Sequence, residues 1–188
     1  MNQYIISKRK HNMTRITFIT MLLFLVNTNN YGHLFASEDT GQPILFHIDR
    51  SRDANIVVYY LNIKSEGKPD PHDPILPGWI KHTKKGEKAP LTRIQQRFGY
   101  GLHFEAFDRS LQAYPFQFVS IPDEKFYLVQ DNLTKKYHVI FFREYKQISL
   151  KSIFIQFDGG SFLKPKIDHM KLHGKHANNQ KYTEIIRP

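Results

Sequence analysis

The chain has 188 residues, of which 40% are hydrophobic and 23% charged, and it contains no cysteine. The length favours one domain, and the composition excludes wholesale disorder. Because cysteine is absent, disulfide bonds, thiol catalysis, thiolate metal sites and lipid attachment through a cysteine are all excluded. Aromatic residues make up 14% of the chain, which favours β-strands because flat rings pack well on a pleated surface.

The net charge of +10 is unevenly distributed along the chain. The first 36 residues carry four bases and no acid, whereas residues 37–188 carry 23 bases and 17 acids, a net charge of +6. Such a charge aids solubility and can favour an anionic partner. The sequence has no run of five Lys and Arg residues, no recognition-helix pattern and no zinc spacing, so we do not predict nucleic-acid binding.

Residues 1–36 are predicted to be a cleavable signal peptide. A basic region precedes an apolar stretch of 11 residues, 16–26, and a polar exit follows. A membrane-spanning helix needs about 20 residues, whereas these parts are typical of a secretory signal. Cleavage after Ala36 leaves residues 37–43 as a flexible lead-in and 44–188 as a single β-rich domain, periplasmic or secreted, without a transmembrane span. The alternative is an uncleaved N-terminal anchor.

Apolar runs of strand length then recur with turn signals between them. The first two, 44–50 and 55–63, form a predicted hairpin across Ser51-Arg52-Asp53. Residues 66–74 hold three prolines and a glycine, which predicts a loop. Further strands are predicted at 75–82, 102–107, 114–121, 126–130, 137–145, 148–157, 166–172 and 181–186.

One short helix is predicted at Thr92–Phe98. Thr92 and Gln95 have the spacing of a capping box, in which each side chain satisfies a free backbone N–H at the helix start. Gly99 or Gly101 is expected to end the helix in a left-handed conformation. About nine short strands with mostly local connections therefore predict a mainly β fold, an antiparallel β-barrel-like or β-sandwich domain with one short helix.

The strand near residue 155 shows the clearest alternation. Ile153, Ile155 and Phe157 alternate with polar residues, which fits a sheet with one wetter face. Phe154 interrupts that alternation.

The candidate site residues lie where the loop, the helix and a strand are predicted to meet. Trp and Tyr often line ligand sites, and an arginine can grip a carboxylate or phosphate. We predict a ligand-binding surface formed by Tyr59, Trp79, Arg97, Tyr100 and His103. The ordinary alternatives are a buried structural tryptophan and a solvated arginine face.

Two groups of histidines have spacings that bear on metal binding or catalysis. His169 and His173 would lie about 13 Å apart in a strand, too far for one ion, and Gly174 with Asn178 indicates a turn rather than a helix. No metal site and no cofactor are therefore predicted. His47 and Asp49 share one face of a strand, which would permit general acid–base catalysis.

Several segments together resemble a family of exported bacterial proteins known as domain of unknown function 4833. The resembling segments are Arg50-Ser51, Asn55-Ile56-Val57-Val58-Tyr59, Asn62, Pro74-Ile75, Trp79-Ile80, Gly86, Leu91–Phe98 and Tyr100-Gly101. Gly78 departs from the pattern, since an aromatic residue is expected beside the tryptophan. The resemblance implies an exported β-rich domain and brings no activity or catalytic residue.

Three functions follow as hypotheses. The first is a non-enzymatic module that binds a small or lipidic ligand or a cell-envelope protein, because aromatic-rich β-architectures often enclose a ligand site. The second is a hydrolase-like enzyme that uses His47 and Asp49 at the first hairpin. The third is a structural or adhesion protein that acts through an exposed strand edge.

Overall fold

The computed structural model describes residues 41–64, 66–160 and 165–187, so the predicted signal peptide and most of the lead-in lie outside the described residues. The described chain is mainly β, with one sheet curled into a half-barrel and one short helix, as the sequence predicted. The strands are β1 (Ile44–Arg50), β2 (Asp53–Leu61), β3 (Ile75–Lys81), β4 (Glu87–Pro90), β5 (Leu102–Phe104), β6 (Ala113–Phe118), β7 (Ile121–Gln130), β8 (Tyr137–Arg143), β9 (Lys146–Gly160), β10 (Pro165–His176) and β11 (Lys181–Ile186).

The long strand β9 joins the parts of the sheet. Its first residues, 146–149, pair antiparallel with β8, and residues 152–155 pair in parallel with β1. Ser152 pairs with His47 of β1 and also with His173 of β10, so β10 lies on the opposite edge. β8 and β1 therefore pair with successive parts of the same edge of β9.

Two wings of the sheet spread from that shared edge. The first wing is ordered β4-β3-β2-β1, and the second is ordered β8-β7-β6-β5. Within each wing every pairing is antiparallel between neighbours in sequence. Short local connections explain this order, because tight turns can join only antiparallel strands.

The space between the wings is filled with aromatic rings. Phe46 stacks on Tyr59 within the first wing, with ring centroids 4.3 Å apart. The ring of Phe118 in the second wing meets both rings edge-on, with centroid distances of 5.9 Å to Phe46 and 5.6 Å to Tyr59. The ring centroid of Phe126 lies 5.2 Å from that of Phe118. Each aromatic side chain buries about 150–250 Å², so these contacts hold the wings together. Side chains therefore occupy the space between the wings.

The first predicted hairpin is confirmed by the pairing of β1 with β2, whereas the bounds of several strands differ from the prediction. The strand predicted at 126–130 begins at Ile121, because the strand predicted at 114–121 ends at Phe118 and turns back. Strand β4 was not predicted, because four residues ending in Pro90 lack apolar alternation and form only an edge pairing with β3. Strand β5 ends at Phe104 rather than at 107. Strand β10 continues to His176, so Gly174 lies within a strand and not in a turn.

Gly174 lies opposite a bulge in β9. Leu150 pairs with Gly174 and Ser152 pairs with His173, which leaves Lys151 as an extra residue. A β-carbon at Gly174 would lie 2.7 Å from both the Ile148 Cγ2 atom and the Ser149 carbonyl oxygen. Only glycine fits here without displacing the neighbouring strand.

The predicted helix forms, but it ends differently from the prediction. Thr92 accepts from the Gln95 N–H at 3.3 Å, and the Gln95 side chain accepts from the Thr92 N–H at 2.9 Å, which confirms the capping box. The helical segment consists of α1 (Arg93–Gln95) and a π-helical turn (Gln96–Tyr100). The Gly101 N–H closes that turn by donating to the Gln96 carbonyl at 3.0 Å.

Neither Gly99 nor Gly101 adopts the expected left-handed conformation. Gly101 is extended, with φ −70° and ψ 160°. It must be glycine for a different reason, since a β-carbon at Gly101 would overlap the Gln96 carbonyl oxygen. The same substitution at Gly99 meets no atom within 4 Å.

The π-helical turn gives a matched pair of substitutions. Gly101→Ala should lower the free energy of unfolding by about 3 kcal/mol, because overpacking against backbone is costly. Gly99→Ala should change it by less than about 1 kcal/mol, since alanine favours helices and the site is open. Urea unfolding followed by the emission of Trp79, the single tryptophan, measures both. Equal losses in the two variants would contradict the close approach at Gly101.

A second substitution tests the bulge of β9. Gly174→Ala should lower the free energy of unfolding by about 2 kcal/mol, because the new methyl group meets Ile148 and the Ser149 carbonyl. The adjacent exposed Lys175→Ala is the control and should change it by no more than about 0.5 kcal/mol. A Gly174→Ala protein as stable as its control would show that β9 and β10 are not packed as described.

Candidate functional site

Arg50 ends β1 and is fixed by the first hairpin. The register places it opposite Asp53, the first residue of β2. The Arg50 Nη2 atom donates to both carboxylate oxygens of Asp53 at 2.7 Å, and the Asn55 N–H donates to the same carboxylate at 2.8 Å. The hairpin thus fixes both the position and the plane of the guanidinium.

Two aromatic rings from other elements surround this guanidinium. The Arg50 Cζ atom lies 4.4 Å from the ring centroid of Trp79 and 6.0 Å from that of Tyr100. The Arg50 Nη1 atom also donates to the Tyr100 hydroxyl at 3.3 Å. Such cation–π contacts contribute about 0.5–2 kcal/mol each, more when water is excluded.

Two hydrogen bonds hold the helical segment beside the Arg50 guanidinium. The indole N–H of Trp79 donates to the Gln95 side-chain oxygen at 3.2 Å, and the Tyr59 hydroxyl donates to the Tyr100 carbonyl at 2.8 Å. Burial raises the pKa of Tyr59 well above its usual value, so its hydroxyl remains a donor at every physiological pH. We call this group of Arg50, Tyr59, Trp79, Gln95 and Tyr100 the aromatic–arginine junction.

The junction contains one unsatisfied donor. The Arg50 side chain is only 13% exposed, and its Nε atom is buried without a hydrogen-bond partner among the described residues. A buried donor without an acceptor costs about 1–3 kcal/mol. Burial of an arginine in this state is unusual for a purely structural residue, and π-helical turns such as the adjacent one are frequent at functional sites.

The structure brings together three of the five predicted ligand residues, namely Tyr59, Trp79 and Tyr100. The other two are exposed. Arg97 lies over the ring of Phe98 at 5.3 Å, and His103 is on β5 opposite Gln117. Whether any of the five binds a ligand stays a prediction.

Arg50 was not among the residues predicted to form the ligand-binding surface, although it lies at the centre of the junction. A local signal was available, since an arginine followed three residues later by aspartate can close a hairpin with an ion pair. Its contact with Trp79 depends on the register that aligns Ile48 with Val57 and Val57 with Trp79. Pairing register across three strands is not readable from local spacing.

His47 and Asp49 meet on the opposite face of β1. Their Nε2 and Oδ2 atoms are 3.2 Å apart, with side chains 38% and 43% exposed. Successive residues of a strand point to opposite faces, so this pair does not share a surface with Arg50. The two side chains are close enough to exchange a proton. No residue of the junction lies on their face of β1.

The histidines of β10 each have a different neighbour. His169 contacts Asp168 at 2.7 Å, His173 contacts the Thr183 hydroxyl at 3.2 Å, and the His176 ring lies 5.4 Å from that of Tyr182. Among the described residues, no group of three or more His, Cys, Asp or Glu residues could hold a metal ion.

Two shallow surface clefts lie away from the junction. One is formed by the 64–71 loop and Tyr114, and includes Lys64, Lys68 and Pro71. The other lies on the outer face of the second wing, with Tyr127, His138 and Phe142 among its residues. Burial lowers the pKa of His138, so this cleft presents a neutral imidazole at neutral pH.

Within the described ranges, no helix is long and apolar enough to cross a membrane. A family model described as domain of unknown function (DUF4833) matches residues 46–184. No match to a curated protein or to a solved structure was found. The matched range runs from β1 into β11 and includes the whole aromatic–arginine junction. The chain therefore belongs to the family of domain of unknown function 4833.

Proposed function

We propose that the protein is an exported, non-enzymatic binding module of the cell envelope, which holds a small or lipidic ligand at the aromatic–arginine junction. The observation that carries this proposal is Arg50. Its guanidinium is held on one side by Asp53 and covered by Trp79, while its Nε–H has no acceptor among the described residues. A ligand oxygen is the partner that this donor lacks.

The state of Arg50 also indicates the chemistry of the ligand. Asp53 already neutralises most of the guanidinium charge, so the junction suits a single carbonyl or carboxyl oxygen better than a multiply charged group. The rings of Trp79 and Tyr100 meet edge-on at 5.6 Å and offer apolar contact to the rest of such a ligand. Because hydrogen bonds and packing hold these groups in place beforehand, binding costs little ordering entropy.

Access to the donor requires a small movement. The Arg50–Tyr100 hydrogen bond is the longest in the junction, at 3.3 Å, and Tyr100 ends the π-helical turn. Rotation of the Tyr100 side chain would expose the guanidinium edge without breaking the ion pair to Asp53. The ligand oxygen would then accept from the Nε–H and from the Nη1 atom that the phenol oxygen leaves.

Native mass spectrometry tests this proposal on protein isolated from the export compartment of the producing cell. We expect the chain to begin at Ser37 and to carry a reproducible extra mass. Arg50→Gln should lose that mass, whereas Arg109→Gln, an exposed arginine in the 108–112 turn, should keep it. Trp79→Phe serves as a second variant that preserves ring packing and should weaken retention.

The other outcomes of this measurement distinguish the alternative functions. An apo monomer in every preparation would contradict ligand binding and would favour the hydrolase-like alternative at His47 and Asp49. An apo oligomer would favour a structural role through an exposed edge such as that of β11, which among the described strands pairs only with β10. Retention of the mass by Arg50→Gln would remove the junction as its site.

A further inference from the structure

The positive charge of the chain is concentrated in one short segment. Residues 81–100 contain six Lys and Arg residues and a single acid, a net charge of +5. Residues 37–188 together have a net charge of +6. The segment comprises the end of β3, the β3–β4 turn, β4 and the helical segment.

Three of these six bases are not used to hold the fold together. The single acid, Glu87, is paired with Lys81 at 2.9 Å. Lys85, Arg93 and Arg97 are exposed and form no ion pair with the described residues. Exposed, unpaired bases attract anionic partners over about a Debye length, 8–10 Å at ordinary salt.

The helical segment also exposes two large apolar side chains beside these bases. Ile94 is 59% exposed and Phe98 is 71% exposed. The Cζ atom of Arg97 lies 5.3 Å from the centroid of the Phe98 ring. Four-residue spacing brings side chains of a helix near one another, so Arg93 and Arg97 flank an apolar pair formed by Ile94 and Phe98.

We infer that this helical segment docks on the surface of a bilayer that contains anionic phospholipids. Ile94 and Phe98 enter the headgroup region, and Arg93 and Arg97 contact lipid phosphates. Apolar residues combined with arginines on one surface segment are typical of interfacial membrane binding. A soluble polyanion would use the arginines alone and would leave Phe98 in water.

Docking would also reach the aromatic–arginine junction. Gln95 lies between the two arginines in sequence and accepts from the Trp79 indole at 3.2 Å. Docking would therefore hold the junction close to the membrane, which is the source of a lipidic ligand for the proposed module. The inference itself does not depend on that ligand, because Arg50 and Trp79 are not among the docking residues.

Vesicle sedimentation tests the docking. The protein is mixed with vesicles of phosphatidylcholine alone and with vesicles that contain equal parts of phosphatidylglycerol. The measurement is the ratio of the two partition coefficients, because any uncleaved apolar stretch at 16–26 would raise binding to both vesicles. We expect a ratio of tenfold or more that falls with added salt.

Two double variants separate the contributions of charge and apolar surface. Each basic residue near an anionic surface contributes about 1 kcal/mol, so Arg93→Gln with Arg97→Gln should reduce binding to the anionic vesicles roughly thirtyfold. Ile94→Ser with Phe98→Ser should reduce it roughly tenfold or more, because the buried apolar area is lost. All four side chains are exposed, so the melting temperature should not change.

Matched controls come from exposed residues elsewhere. Lys175→Gln with Lys181→Gln removes two charges from the β10–β11 pairing, and Tyr145→Ser removes a fully exposed ring from the β8–β9 turn. Both controls should bind like the unaltered protein. Equal binding to the two kinds of vesicle, or equal losses in variants and controls, would overturn the inference. Loss with the arginine variant but not with the Ile94 and Phe98 variant would show adsorption by charge alone and would contradict entry of the apolar pair into the headgroup region.

Discussion

The architecture depends on the sharing of one edge of β9 by two strands. β8 occupies the first part of that edge and β1 the second part, so both wings of the sheet start from the same strand. A flat continuation would leave the apolar faces of the wings in water. The wings instead curl toward each other, and the rings of Phe46, Tyr59 and Phe118 meet between them.

The bulge at Lys151 makes this sharing possible. Ile148 and Leu150 are buried before it, and Ile153 and Ile155 are buried after it, so the buried positions change parity within one strand. Phe154 lies between the buried Ile153 and Ile155 after the bulge, so it points to the opposite face of the sheet. Its ring lies on the outer face of the sheet, where Lys171 of β10 covers it at 5.7 Å. Gly174 on the partner strand gives the bulge the space that it needs.

Local features of this fold are predictable from the sequence, whereas its long-range pairings are not. The first hairpin, the loop near residue 70 and the capping box all follow from turn chemistry and side-chain spacing. The parallel pairing of β1 with β9 joins residues about 100 positions apart, and no local pattern specifies it. Gly101 illustrates the difference, because its identity depends on an approach to Gln96 rather than on its own backbone angles.

The candidate site likewise combines residues that the sequence predicts with one that only the strand pairing reveals. Trp79, Tyr59 and Tyr100 belong to the five residues predicted as a group because they fall where the loop, the helix and a strand were expected to meet. Arg50 completes the group through strand register, which local spacing does not reveal, whereas Arg97 was expected there and instead lies exposed beside Phe98. Arg50 and Arg97 thus have different surroundings, one fixed and nearly buried and the other free at the surface. That contrast is why we assign ligand binding to the first and membrane docking to the second.

Amide hydrogen exchange measured residue by residue tests the shared edge most directly. If β1 pairs with β9, the amides of residues 47–51 and 152–155 that donate between these two strands, such as the Ser51 N–H to the Ile155 carbonyl, should exchange only through global unfolding, as slowly as those of Phe126 and Phe141 in the aromatic core. Fast exchange of these amides, while the amides that donate between β9 and β10 and those of β7 and β8 remain protected, would show that the first wing does not start from β9. The arrangement of both the core and the junction described above would then be wrong.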